Sequence, residues 1–206
     1  MSTIAINMFL TLDGVAQAPG GPEEDRDGGF EHGGWQAPFF TGQLGEIIGP
    51  WHTGAAGFLL GRRTYEIFAA YWPHVPADHE EAPMAKIIND TPRYVASRTL
   101  TSSDWAGTTF LGDDAVAAVK RLKARDLGEL QVAGSVGFAQ TLIGHDLVDE
   151  YRLTIFPVVL GTGKRLFGGG TVPASLRLVS SQVTDAGVVA CVYRPTGKPA
   201  YGSYEL

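Results

Sequence analysis

Three short stretches place anion-holding groups at the ends of apolar runs. In Leu59-Leu60-Gly61-Arg62-Arg63-Thr64 a predicted strand ends, a glycine permits a tight turn, and a helix begins. A helix N-terminus presents free N–H groups and a partial positive charge, which suits a phosphate. Arg62 and Arg63 add planar donors that match phosphate oxygens in pairs, and Thr64 adds a hydroxyl. By spacing alone, a plain turn with two solvated arginines accounts for the motif equally well, because short glycine motifs recur by chance. Ser97-Arg98-Thr99 follows a second predicted strand. Val132-Ala133-Gly134-Ser135-Val136-Gly137 again runs from strand through glycine into helix, so its backbone N–H groups could cradle a pyrophosphate. In open α/β sheets ligands bind outside the carboxyl ends of the strands. Three such ends together weigh more than any one of them.

Other chemistries find little support. Gly134 to Gly137 does not fit GxGxxG. Gly161-Thr162-Gly163-Lys164 is followed by Arg165, and Val158 stands where the first glycine of a Walker loop would be. The histidines His32, His52, His74, His79 and His145 show no metal-site spacing, and the His74–Glu81 cluster reads as a solvated loop. Cys191 is the only cysteine and falls in a predicted strand, so it reads as core. No GxSxG elbow is present. Asp13 closes the first strand; it could orient a substrate or relay a proton, or simply make the turn before Gly14. Glu46 could bind substrate, but a solvated helix face is the preferred reading. Lys164 and Arg165 either meet an anionic substrate or face solvent.

The elements that must carry these groups follow from hydrophobic period. Thr3 to Thr11, Ala55 to Gly61, Arg93 to Ser97, Leu130 to Ala133 and Val148 to Phe156 read as strands. Between them, Phe40-Leu44-Ile47-Ile48-Trp51, Tyr65-Phe68-Trp72, Met84-Ile87-Ile88, Val116-Val119-Leu122 and Gly134–Ile143 read as helices. Leu176 to Gln182 and Val188 to Arg194, joined through Asp185-Ala186-Gly187, read as a hairpin. Residues 17–35, rich in glycine, proline and acids, read as a long loop of the kind that serves as a lid or stays disordered. The pattern argues a mostly parallel α/β sheet with an antiparallel edge. With 206 residues, no repeat and no Pro/Ser-rich linker, residues 1–206 read as one domain. A formal net charge of −6 disfavours general nucleic-acid binding. No signal peptide or membrane-spanning run is seen, so a cytoplasmic protein without membrane contact is expected.

These motifs, in this order, resemble the dihydrofolate reductase fold, and more closely the branch containing the reductase domain of bacterial riboflavin biosynthesis (RibD C-terminal). The matching stretches are Phe9 to Gly14, Leu60 to Tyr65, Val95 to Arg98, Val132 to Ser135, Asp149 to Thr154 and Pro157 to Phe167. The resemblance implies a three-layer α/β/α architecture with a mostly parallel central sheet and an antiparallel C-terminal hairpin. It implies NADPH as hydride donor, with Gly61, Arg62, Arg63 and Thr64 at its phosphates. Arg62, Ser97 and Arg98 would read the adenosine 2′-phosphate, and Gly134, Ser135, Val136 and Gly137 would hold the pyrophosphate. Val15 and Ala16 would lie near the nicotinamide, and Thr154 resembles a pocket threonine of the fold. The Ala133-Gly134 bond takes the place of a cis Gly-Gly peptide.

The branch implies reduction of a small heterocyclic substrate, as by 5-amino-6-(5-phosphoribosylamino)uracil reductase. Folate reduction is not expected, since no helix carboxylate matches near Gly45 and Glu46. No deaminase zinc motif accompanies the reductase pattern. Two alternatives stay open: a non-catalytic nucleotide or small-molecule binding protein, and a homodimeric scaffold whose C-terminal strands pair.

Overall fold

The computed structural model describes residues 1–204. The strands are β1 (Thr3–Thr11), β2 (Gly57–Gly61), β3 (Arg93–Ala96), β4 (Thr108–Phe110), β5 (Glu129–Gly134), β6 (Glu150–Phe156), β7 (Ser175–Val183) and β8 (Val189–Gly197). The helices are α1 (Gly42–His52), α2 (Arg62–Tyr71), α3 (Ala82–Asp90), α4 (Ala115–Ala124) and α5 (Val136–Gly144). The strands form one sheet in the order β4-β3-β2-β5-β1-β6-β8-β7. The first six in that order are parallel neighbours, while β8 runs antiparallel to both β6 and β7. This is the α/β arrangement expected, parallel with an antiparallel C-terminal hairpin.

Alternation along β1 divides the core. Ile4, Ile6, Met8 and Leu10 pack with Val119 and Leu122 of α4 and Val136, Phe138, Ala139 and Leu142 of α5. Phe9 points to the other face, against α1 residues Leu44 and Ile48 and the loop residues Phe30 and Trp35. On that same face Phe58, Leu60 and Val95 meet Tyr65 of α2 and Ile88 of α3. Burial on both faces explains why the central strands read as continuous apolar runs.

Several expectations need correction. Phe40 lies outside α1, because Thr41 caps the helix by accepting from the Leu44 amide at 3.4 Å. β4 escapes the sequence pattern, being a three-residue edge strand with two threonines. The cis peptide is Gly134-Ser135, one bond beyond the position expected. The 17–35 loop is ordered against the fold: Gln17, Ala18, Phe30 and Trp35 are buried.

α1 is fastened at its C-terminal end. The Trp51 carbonyl accepts from Arg152 at 2.9 Å and from the Gln131 side chain. A cation there also complements the negative end of the helix. Arg93 plays a similar part at α3. Its buried guanidinium donates to the carbonyls of Ile88, Asn89 and Thr91 at 2.6, 3.0 and 2.8 Å.

Candidate functional site

The strand order puts the three anion-friendly strand ends side by side, because β3, β2 and β5 are consecutive in the sheet. Gly61 pairs in register with Ala96 on one side, and Leu60 with Gly134 on the other. The two glycine turns interlock. A Cβ on Gly61 would lie 2.1 Å from the Ser135 hydroxyl and 2.9 Å from its backbone nitrogen. A Cβ on Gly134, whose φ is +139°, would lie 2.4 Å from the Thr64 hydroxyl. Only glycine lets the backbones approach this closely.

The interlock sets the N-terminus of α2 beside that of α5. Their cap residues, Gly61 and Ser135, make no side-chain hydrogen bond to the first turn. The first-turn amides of two helices thus carry no side-chain cap at one end of the sheet. Arg62 is half exposed and pairs with Glu66 one turn on at 2.9 Å, a contact it can give up cheaply. Arg98 is exposed beside them. Ser97 is buried, and its hydroxyl oxygen accepts from the Thr99 and Leu100 amides at 3.2 and 2.8 Å. It therefore shapes the turn that presents Arg98. Arg63 reaches across to Asp25 of the long loop at 3.5 Å.

Val15 and Ala16 follow β1, the next strand along. Both are buried and face the 163–165 turn, with the Ala16 amide donating to the Lys164 carbonyl at 2.8 Å. Asp13 is committed to the same turn. Its carboxylate accepts from the Thr11 hydroxyl at 2.6 Å, the Leu160 and Gly161 amides at 3.2 and 2.9 Å, and Arg165 at 3.0 Å. The Thr11 hydroxyl first, then the two amides and Arg165, hold its carboxyl well below the usual carboxylate range. Lys164 and Arg165 do not stand free in solvent: Lys164 pairs with Asp25 and Asp27, each at 2.8 Å, and Arg165 with Asp13.

Thr154 occupies the middle of β6, opposite Phe9 of β1 and Ala190 of β8. It is fully buried, and its hydroxyl has no hydrogen-bond partner. Its face of the sheet carries an aromatic cluster that motif reading missed. Phe9 contacts Phe40 and Phe156 edge-on at 6.5 and 5.6 Å, and Trp35 and Phe39 also meet Phe156. The closely spaced Trp35, Phe39 and Phe40, at and just beyond the end of the long loop, were the available signal. Glu46, by contrast, is exposed on α1.

Buried Gln17 is the second residue that motif reading missed. Its amide donates to the Asp25 and Asp27 carbonyls at 3.1 and 2.9 Å and accepts from the Lys164 amide at 3.0 Å. Its own carbonyl accepts from the Trp35 indole at 2.8 Å. One side chain thus fastens the long loop to the 163–165 turn. A hollow of about 380 Å³ at the opposite, amino ends of β5 and β6 is lined by Trp51, Glu129, Glu150 and Arg152. Its charges are already mutually paired, Arg152 with both glutamates. Among the described residues no cluster of three metal-ligating side chains occurs, and no helix is long and apolar enough to cross a membrane.

The sequence profile of the RibD C-terminal domain matches residues 2–190. The chain is 29% identical over 198 residues to the uncharacterized protein YyaP of Bacillus subtilis, covering 94% of this chain and 95% of that one. Its fold is similar to a putative riboflavin biosynthesis protein from Shewanella sp. PV-4, with a TM-score of 0.64, 20% identity, and coverage of 95% and 99% of the two chains. It is also similar to dihydrofolate reductase from Enterococcus faecalis complexed with NADP(H) and RAB-propyl, with a TM-score of 0.59, 12% identity, and coverage of 94% and 96%.

Proposed function

Because the chain belongs to the RibD C-terminal domain family, we propose that it is a cytoplasmic NADPH-dependent reductase of a small heterocyclic substrate, carried by one domain over residues 1–206. The observation that carries this reading is the pair of helix N-termini set side by side by Gly61 and Gly134, where a Cβ on either glycine would collide with Ser135 or Thr64 of the opposing turn and push the two termini apart. The donor set fits a dinucleotide. Backbone amides of the first turns of α2 and α5, with Arg63, Thr64, Ser135, Val136 and Gly137, would hold the phosphates. Arg62 and Arg98, presented by the Ser97 turn, would take the extra 2′-phosphate. When bound, the cofactor supplies the hydride.

The chain's own residues supply position. Asp13 fixes the 160–165 turn against Val15 and Ala16, and its low proton affinity suits it to that role rather than to donating a proton. On the aromatic face the Thr154 hydroxyl is buried without a partner, so it would meet a substrate only where the side chains over it move aside.

Fluorescence titration with NADPH and NADH tests the cradle. A substrate-dependent fall in NADPH absorbance, screened over pyrimidines, pteridines and small carbonyl compounds, tests turnover. Arg62→Ala should weaken NADPH by about tenfold, the value of a charge-assisted hydrogen bond, and leave NADH little changed. Equal losses for both would remove the 2′-phosphate assignment. Binding without turnover would instead support the alternative, a non-catalytic nucleotide or small-molecule binder.

A further inference from the structure

On the face of the sheet that carries α1 and α2, the middle is left uncovered. Leu44 and Ile48 of α1 cluster with Phe156 of β6 and Ala190 of β8. Tyr65 of α2 clusters with Phe58 and Leu60 of β2 and Val95 of β3. β5 and β1 lie between these two groups in the sheet. Asn7 and Phe9 of β1 and Ala133 of β5 point to this face and are only partly buried, although both strands are central. They floor a cleft between the two helices. Ala133 runs directly into Gly134, so the cleft opens beside the proposed cofactor site. Phe40, 48% exposed just before α1, stands edge-on to Phe9 at 6.5 Å.

The charges around this cleft decide what it can take. β1, β5 and α1 contain no lysine or arginine. In α2 the only cations are Arg62 and Arg63 of the first turn, at the proposed cofactor phosphates. The cations of the flanking β6 and of the 163–165 turn are already paired: Arg152 with Glu129 and Glu150, Lys164 with Asp25 and Asp27, Arg165 with Asp13. Two polar atoms on this face lack a partner, Asn7 Oδ1 and the covered Thr154 hydroxyl, and both are neutral. An anion entering here would have to take a cation from its carboxylate or lie unpaired beside carboxylates, and either costs free energy. A flat neutral ring has no such cost and gains contact with Phe9 and Phe40.

We infer that the substrate is an uncharged, flat molecule carrying no phosphate, held in the cleft between α1 and α2 against Phe9 and Phe40. The inference rests on the reductase reading for calling that molecule a substrate, and it narrows the reading: the phosphoribosyl pyrimidine that the branch resemblance implies does not suit this cleft. The reduction adds a hydride from the cofactor and a proton from water across one double bond of the molecule.

Calorimetric titration of the full chain, saturated with NADP⁺, compares two probes that share one flat heterocycle, 7-methoxy-4-methylcoumarin and 4-methylumbelliferyl phosphate. Filling the cofactor site first keeps the phosphate probe away from the helix N-termini. The ether should bind, and more tightly than the phosphate by at least about tenfold, because the phosphate is set among carboxylates. Phe40→Ala, at an exposed position outside α1, should weaken the ether about fivefold, the loss of one aromatic contact, with NADP⁺ affinity unchanged. If NADP⁺ does not bind, the reductase reading falls; the same preference is then expected of the bare chain in excess inorganic phosphate, as a property of the cleft alone. The wild-type comparison decides by itself should the variant misfold. A phosphate probe that binds as tightly as the ether, an ether that does not bind, or a folded Phe40 variant that binds it like the wild type would each overturn the inference.

Discussion

Asp25 of the long loop lies 3.5 Å from Arg63 in the first turn of α2, and its other oxygen pairs with Lys164 at 2.8 Å. The loop thus lays a carboxylate against an arginine of the proposed phosphate cradle. A phosphate at Arg63 would have to compete with Asp25, and the loop would then hold cofactor affinity down. Half-exposed ion pairs are worth about 0.2–1 kcal/mol, so Asp25→Asn should tighten NADPH binding by roughly two- to fivefold at low salt. Lys164 keeps Asp27 as a partner, so the loop stays down. Titration of cofactor fluorescence checks this; weaker binding in the variant would mean that Asp25 supports the cradle instead of competing for it.

Gly61 makes a sharper test of the cradle itself. An alanine there would press on the Ser135 backbone nitrogen, 2.9 Å away, which cannot swing aside as a side-chain tip can. Overpacking of this kind costs about 1–3 kcal/mol. Gly61→Ala should therefore lower the melting temperature and weaken NADPH together, as the α2 and α5 termini part. Gly137→Ala is the control: nothing lies within 4 Å of its Cβ, and alanine favours a helix by up to about 1 kcal/mol over glycine. If the Gly61 variant melts like the wild type, the two turns are not interlocked.

What the sequence revealed and what it hid divide along a physical line. The strands and helices were legible because apolar period and glycine punctuation are local. The strand-end turns were legible because strand, glycine and helix start lie within six residues of one another. The partners of polar and charged groups were not, since they lie far apart in the chain: Gln17 with the Lys164 backbone amide, Asp13 with Arg165, Asp25 with Arg63. Arg93 looked like the polar start of a strand, and only the fold shows three helix-end carbonyls gathering round it. β4 has too few residues for a period to register.

The Asp13 clip carries a pH signature. Its folded proton affinity lies below that of a free carboxyl, so its contribution to stability is fully present above the unfolded pKa of about 3.9. That contribution is lost as pH falls through the lower, folded value. Asp13→Asn should cost about 1–3 kcal/mol at neutral pH, the value of charged hydrogen bonds left unmade. The gap to the wild type should hold down to about pH 4 and close only below it. Melting curves taken from neutral to strongly acid buffer would show this. Curves that converge well above pH 4 would mean that Asp13 titrates like an ordinary carboxyl.

Thr154 offers the reverse trade. Its hydroxyl is buried with no partner, and such a group costs about 1–3 kcal/mol. Valine matches its shape and removes the unmet hydrogen bond, so Thr154→Val should melt a few degrees higher than the wild type. A stabilising change at a buried polar position marks a group kept for something other than the fold. If that purpose is the substrate, the valine variant should bind NADPH with unchanged affinity while NADPH oxidation, with whichever compound the screen identifies, falls about tenfold through the loss of one hydrogen bond. Higher stability with undiminished turnover would leave Thr154 as a packing residue and move the substrate contact elsewhere on the aromatic face.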